Sequence, residues 1–376
     1  MSSQRKTRVA VVFGGRSTEH AVSCLGAGHI LAAIDRDRYE VVPVGITRDG
    51  RWVLTADDPE RLAIRGGELP SVEAVAAPGT EIAARLDQGT RGLVVTGAGE
   101  VPRSLGEVDV VLPLLHGAYG EDGTLQGLLE MTGTGYAGAG VLASAAGMDK
   151  EYMKLIFAAR GLPVGRHVVV RDRDWRDRPT ERKRVLDEIG ELGWPLFVKP
   201  ARGGSSIGIT RVGDQAGLEE AIEAAREHDP KVLVEAAVEG IEIECAVLEG
   251  LDGGPPEASV PARVLVGGGA EFYDFGAKYL EADTGLAIPP PVPAAHAEQI
   301  RQLACAAFDA LSCEGLARVD FFYTPDGRIL LNEINTMPGM TPASAFPVMW
   351  AASGLPLPQL VDRILQTALR KRRGLR

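Results

Sequence analysis

Arg318 and Asp320 stand two residues apart in an apolar run that ends at Tyr323, and Glu333 and Asn335 repeat that spacing after Thr324-Pro325-Asp326-Gly327. Pro and Gly at such a turn predict a hairpin, with strands over 317–323 and 328–333. Alternate residues of a strand share a face, so the four polar side chains converge on one face of the hairpin. Two carboxylates and an amide, with no His or Cys among them, suit a hard cation such as Mg²⁺ and the phosphate oxygens it carries. A guanidinium beside them can stabilise charge on a phosphoryl group or an oxyanion. A cross-strand salt bridge on a solvated face is the plainer reading. The run Asn335-Thr-Met-Pro-Gly-Met-Thr-Pro342 weighs against it, because such a turn leaves backbone amides free beside the same carboxylates.

A second cluster is basic. Lys199 closes the apolar run 196–198 and opens Pro200-Ala-Arg-Gly-Gly-Ser-Ser-Ile-Gly208. Glycines let backbone amides approach a phosphate, while a lysine adds a point charge to the same group. Because the lysine precedes the glycines, the run is neither a P-loop nor a dinucleotide fingerprint. Lys150, opening a helix after Met148-Asp149, is a second phosphate lysine, although alone it reads as a solvated helix residue. Glu235 and Glu242 flank a strand–turn junction suited to a nucleotide's base and ribose. Alone, they read as surface acids.

These residues need elements to bring them together. A buried strand is predicted over 9–13, followed by Gly14-Gly15, a helical pattern through residue 34 and a strand over 39–46. This is the βαβ opening of a doubly wound parallel sheet. Another strand, 108–114, runs into His116-Gly117. Between them, 51–106 is loosely patterned and rich in Gly, Ala and Pro, and reads as an insertion or irregular hairpins. Helices are predicted over 124–131 and 149–160, the second stopped by Gly161 and Pro163. The pattern then changes. Strands over 167–171, 196–198 and 232–235 alternate with helices over 179–191 and 217–227. Antiparallel strands over 242–248 and 260–265, a helix over 294–311, the hairpin and a final helix over 358–369 complete the chain.

Composition removes several readings. The chain has 376 residues, 45% apolar and 24% charged, as ordinary globular domains have. Its net charge of −11 argues against a nucleic-acid partner, which needs clustered Lys and Arg. No stretch approaches the ~20 apolar residues of a membrane helix. The run 9–13 is too short for a signal peptide, and Cys24, Cys245, Cys305 and Cys313 lack the spacing of a zinc site or disulfide frame. A cytoplasmic protein is expected. A dinucleotide-dependent dehydrogenase is disfavoured, because Gly14-Gly15 lacks the full glycine fingerprint and the second strand lacks its terminal acid.

Taken together, the elements resemble the ATP-grasp superfamily, and more finely the D-alanine–D-alanine ligase family. The resemblance rests on Gly14-Gly-Arg-Ser-Thr-Glu19 with Val22-Ser23, and on Leu115-His-Gly-Ala-Tyr-Gly-Glu-Asp-Gly-Thr-Leu-Gln-Gly127. It continues through Tyr136-Ala-Gly-Ala-Gly140, Met148-Asp-Lys150 and Lys199 to Gly208. Tyr273-Asp-Phe-Gly-Ala-Lys-Tyr279, Arg318-Val-Asp320 and Asn332 to Thr341 complete it. The motifs follow the family's order and cover nearly everything except 51–106.

What the resemblance implies is specific. The fold would be α/β and α+β: a doubly wound parallel-sheet domain over 1–139, then two ATP-grasp subdomains over 140–235 and 236–376. ATP would phosphorylate one D-alanine, and the amine of a second would displace the phosphate. Glu19 would bind the first ammonium, with His116 near the same substrate. Arg318 and the Gly339 amide would form the oxyanion hole, and Lys278 and Ser344 would hold the second carboxylate. Ser205 and Tyr279 would reach toward Glu19 and close the site. Lys150, Lys199, Ser205, Ser206, Glu235, Glu242 and Asn332 would bind ATP. Asp320, Glu333 and Asn335 would hold two Mg²⁺ or Mn²⁺ ions. Lys278-Tyr279 favours an amine over a hydroxy acid as nucleophile, leaving D-serine or D-lactate ligation as the alternative. The implied partners are small molecules and a second copy of the chain, with no nucleic acid and no membrane.

Overall fold

The computed structural model describes residues 5–84, 92–95, 103–204, 207–265 and 285–371. Strand β1 (Thr7–Gly14) is apolar on both faces. Val9, Val11 and Phe13 enter one core and Ala10 and Val12 another, so the sheet it belongs to is covered twice. The helix His20–Ala33 carries the chain to β2 (Tyr39–Ile46), which pairs with β1 in parallel. Strands β3 (Trp52–Thr55), β4 (Ala76–Ala84), β5 (Gly92–Val95) and β6 (Arg103–Glu107) then extend the sheet antiparallel. Strand β7 (Val110–Pro113) returns to the far edge of β1, again in parallel. The order is β6-β5-β4-β3-β2-β1-β7. The described part of the stretch read as an insertion or irregular hairpins is thus an antiparallel extension of the sheet with register shifts at Val53/Thr55 and Gly92/Val94, and the strands paired in parallel are β2, β1 and β7.

Two groups of helices cover this sheet. The helix Thr124–Thr132 lies on one face through Leu125 and Leu129. His20–Ala33 lies on the other, together with the last two helices of the chain, Ala345–Ala352 and Leu357–Arg370. No helix among the described residues is long and apolar enough to cross a membrane.

The second sheet is wholly antiparallel. It consists of β8 (His167–Arg171), β9 (Leu196–Pro200), β10 (Thr210–Val212) and β11 (Lys231–Ala236), in the order β10-β9-β11-β8. Val185 and Ile189 of the helix Pro179–Gly190 and Ala221 and Ile222 of Leu218–Arg226 fill its core. The third sheet has β12 (Ile241–Leu248), the short β13 (Glu257–Ala258), β14 (Ala262–Leu265), β15 (Gly285–Ala287), β16 (Leu316–Tyr323) and β17 (Ile329–Asn335). Val319 and Phe321 of β16 pack with the helices Lys150–Ala159 and Ala294–Ala310. Arg318 and Asp320 alternate with them along the strand. The hairpin register sets Arg318 opposite Asn335 and Asp320 opposite Glu333, with an irregularity just after Asp320.

Candidate active site

A cleft of about 440 Å³ is lined by residues of the second and third sheets and of the helix Lys150–Ala159. Lys199, near the end of β9, places Nζ 2.6 Å from a Glu235 oxygen, and Lys154 reaches the other oxygen at 3.0 Å. Burial alone would raise the Glu235 carboxyl, but the two ammonium groups outweigh it and hold its pKa at about 2. Burial lowers the pKa of Lys199, and the neighbouring Lys154 and Lys150 add to that effect against Glu235. For Lys150 the balance is reversed: burial opposes its charge, but Glu333 at 3.1 Å keeps the pKa above its ordinary value. Lys154 also donates to the Asn332 carbonyl at 3.1 Å. It lies four residues, one helical turn, after Lys150, a spacing that places both on one face. That spacing was the available signal for Lys154, which the sequence reading did not single out. Glu242 lines the cleft from β12.

Of the predicted oxygen cluster, Asp320 and Glu333 line the cleft from β16 and β17. Arg318 donates Nε and Nη2 to the two Asp320 oxygens at 2.7 and 2.6 Å, and Asn335 donates its amide to Asp320 at 3.1 Å. Glu244, opposite Asp320 on β12, lies 3.3 Å from Arg318 Nε. Burial disfavours the Arg318 charge, but Asp320 and Glu244 outweigh it and raise the pKa well above the ordinary value. Among the described residues no three His, Cys, Asp or Glu side chains alone form a metal cluster. Two carboxylates and an amide nevertheless fit Mg²⁺ or Mn²⁺, which take phosphate oxygens for their remaining positions.

A smaller cavity of about 60 Å³ adjoins the cleft and shares Lys150, Gly203, Gly204 and Glu333 with it. It sits beyond the ends of β1 and β7, parallel neighbours at the point where strand order reverses, the usual place for a ligand in such sheets. Ser23 ties these ends together, accepting from Gly14 N at 2.7 Å and donating to Leu114 O. Gly14 has φ +90°, and a Cβ there would lie 2.4 Å from the Ile46 carbonyl, so only glycine makes this turn. Glu19 follows at the start of the helix His20–Ala33. Its carboxylate would lie 3.0 Å from a Cβ at Gly204, so the glycine-rich run approaches it at backbone distance.

Opposite Glu19, buried His116 donates Nδ1–H to the Met337 carbonyl at 3.0 Å, and burial lowers its pKa. Glu121 accepts from Gly117 N at 2.7 Å and Met337 N at 3.1 Å. Burial and the nearby Glu19 charge push its carboxyl up to about 8. His116 and Glu121 thus hold the loop that presents Gly339 to the cavity. Glu121 lay within the run 115–127 but was not singled out, because one of its two acceptor contacts is to Met337, more than two hundred residues away. Arg318, Asn335 and Gly339 also line this cavity, whereas Ser344 does not. The Ser344 hydroxyl is bonded to Thr341, just before the helix Ala345–Ala352. Ser205, Ser206, Lys278 and Tyr279 lie outside the described residues.

Two antiparallel sheets facing a nucleotide-sized cleft, with a parallel-sheet unit contributing a small adjoining site, define an ATP-grasp ligase fold. The chain belongs to the D-ala D-ala ligase family, whose N-terminal model matches residues 8–139 and whose C-terminal model matches residues 156–366. It is 59% identical to the D-alanine--D-alanine ligase of Streptomyces coelicolor over 98% of this chain and 95% of that one. It is 57% identical to that of Streptomyces avermitilis over 99% and 96%. Among solved structures, the VanG D-Ala:D-Ser ligase from Enterococcus faecalis superposes with a TM-score of 0.82 at 32% identity, over 97% of this chain and 100% of its own. The D-alanine-D-alanine ligase from Coxiella burnetii gives 0.79 at 34% identity, over 97% and 94%.

Proposed function

We propose that this chain uses ATP to join two D-alanine molecules into D-alanyl-D-alanine for peptidoglycan precursor synthesis. The observation that carries this reading is the junction of the two cavities. A nucleotide in the cleft would direct its terminal phosphate past Lys150, Gly203, Gly204 and Glu333 into a space bounded by Glu19, His116 and Arg318. That space is too small for anything larger than a compact substrate.

Glu19 holds the ammonium of the first D-alanine, with His116 beside it. The carboxylate of that D-alanine attacks the terminal phosphorus of ATP, the bond to the leaving ADP oxygen breaks, and a D-alanyl phosphate forms. The second D-alanine, its carboxylate held by Lys278 and Ser344, attacks the acyl carbon through its amine. The tetrahedral oxyanion forms against Arg318 and the Gly339 amide, already oriented for that charge. Inorganic phosphate then leaves. Lys150, Lys199, Ser205, Ser206 and Asn332 bind the nucleotide, with Glu235 and Glu242 toward its adenine end and ribose. Asp320, Glu333 and Asn335 hold two Mg²⁺ or Mn²⁺ ions, which supply neutralisation of phosphate charge when bound. Ser205 and Tyr279 close over Glu19 and keep water from the acyl phosphate. The chain is read as a cytoplasmic homodimer, with three units over 1–139, 140–235 and 236–376.

The test is incubation with ATP, Mg²⁺ and D-alanine, following phosphate release and the dipeptide mass. Dipeptide is expected with D-alanine alone, and no mixed product when D-serine or D-lactate is added in equal amount. ATP binding without dipeptide would overturn the reading. A dominant D-serine or D-lactate product would replace it with the corresponding ligase.

A further inference from the structure

A second tier of buried charge lies behind the nucleotide cleft, in residues to which the mechanism assigns no role. Asp149, Glu151 and Asp229 are 7%, 5% and 3% exposed. The Lys231 ammonium lies between the first two, 2.7 and 2.5 Å from the Asp149 oxygens and 2.9 Å from Glu151. Two residues earlier, Asp229 accepts from the Arg202 backbone at 2.8 Å, from Arg202 Nε and Nη2 at 2.9 and 2.7 Å, and from Lys231 N at 3.0 Å.

The ends of these two links matter. Asp149 caps the helix Lys150–Ala159, which carries Lys150 and Lys154. Arg202 opens the glycine-rich run after Lys199. Backbone bonds lie between the two links: Lys150 N donates to Ala201 O and Ala201 N to Lys231 O, each at 2.9 Å. Residues 229–231 therefore grip the phosphate-lysine helix on one side and the base of the glycine-rich run on the other. Lys150 Nζ in turn touches Gly203 O and Glu333, each at 3.1 Å, so its place depends on both elements.

We propose that Asp229 and Lys231 are positioning residues, which set Lys150 and the glycine-rich run against Lys199 at the spacing that ATP phosphates require. The inference rests on the ATP-dependent reading above. A buried ion pair is weak evidence for stability, because desolvation offsets most of its attraction. Here two buried carboxylates meet Lys231 at one end of a three-residue segment and a third, Asp229 at its other end, grips Arg202, so the segment ties both nucleotide elements together. Misplacement of a binding group by about 1 Å is enough to cost up to about 100-fold in rate.

The test compares full-length wild type with Lys231→Met, Lys231→Arg and Arg202→Met. Lys231→Met leaves two buried carboxylates without their ammonium and is prone to misfold. Arg202→Met is the companion, since the Arg202 side chain is 51% exposed and its loss leaves Asp229 bonded to Lys231 N. The measurements are ATP Kd by calorimetry, KM for ATP and D-alanine separately, and Tm. Arg202→Met is expected to raise the Kd and KM for ATP about tenfold, with the KM for D-alanine within about twofold. Lys231→Arg is expected to recover most of what Lys231→Met loses. An unchanged ATP Kd in folded Arg202→Met overturns the inference, as does an equal loss for both substrates in step with Tm. A wild type that binds no ATP overturns the ligase reading, and this inference with it.

Discussion

Arg318 is held by two carboxylates on neighbouring strands, Asp320 and Glu244, and the pair divides its labour. Asp320 belongs to the oxygen set suited to a cation, and its grip on the guanidinium would weaken if it took one up. Glu244 remains to keep Arg318 aimed. Glu244→Gln is expected to lower kcat about tenfold with KM for ATP nearly unchanged, and Arg318→Ala to lower it at least about 100-fold, the usual effect of losing an oxyanion donor. Steady-state kinetics with each substrate varied in turn checks both, and a large rise in KM for ATP would place Arg318 on the nucleotide instead. Glu121 gives a pH test. Its carboxyl sits near 8 in the fold against an ordinary 4.5, so the folded chain keeps a proton that the unfolded chain releases. The stability it contributes is complete below about 4.5 and is lost as pH rises through about 8. Glu121→Gln removes the ionisation but keeps one of the two acceptor oxygens, and is expected to lower Tm throughout while flattening its pH dependence across that window. Parallel Tm curves for the two proteins would show that Glu121 is ionised throughout.

Between elements, the same logic turns on backbone. Alanine at Gly204 would bring a Cβ within 3.0 Å of the Glu19 carboxylate, a contact the run can relieve by retreating a few tenths of an ångström. Gly204→Ala is expected to raise KM for D-alanine several-fold with Tm intact. Alanine at Gly14 has no such escape, with φ at +90° and a carbonyl 2.4 Å away, and is expected to cost about 1–3 kcal/mol by thermal or urea unfolding. These contrasts also explain what could be read from residue order. Strands β2 and β8 and the hairpin were legible because apolar runs bounded by turns carry their own signal, and Arg318, Asp320, Glu333 and Asn335 followed from period two. Strands β3 to β6 were not legible: β3 and β5 have four residues each, β4 is rich in Ala, and β6 has one apolar residue, Leu105, among polar residues and a glycine. Nor were Glu244, Glu121 and Lys231 legible. Each matters through a partner on another element, and nothing in its local spacing names that partner.

At the scale of the molecule, the end of the chain joins its beginning to its third sheet. Leu360, Ile364 and Leu365 of the helix Leu357–Arg370 share one core with Val9, Val11 and Phe13 of β1, and with Ala246 and Leu248 of β12. Just beyond this helix, Lys371 donates to the Gly138 carbonyl at 2.9 Å and pairs with Glu314 at 3.0 Å. The small cavity draws Glu19 from the first sheet's unit and Arg318 from the third sheet, so its shape depends on how these two sheets are held. The second sheet has its own core and meets the small cavity through Gly203 and Gly204 of the run that follows β9. Leu360→Ala removes a fully buried side chain and is expected to cost about 2–5 kcal/mol. Hydrogen exchange followed along the chain locates that cost. Protection is expected to fall in β1, β7 and β12 together, while β8 to β11 keep theirs, and the KM for D-alanine is expected to rise more than that for ATP. Faster exchange confined to 357–370 would mean that the terminal helix only rests on the two sheets, and that the geometry of the small cavity is set without it.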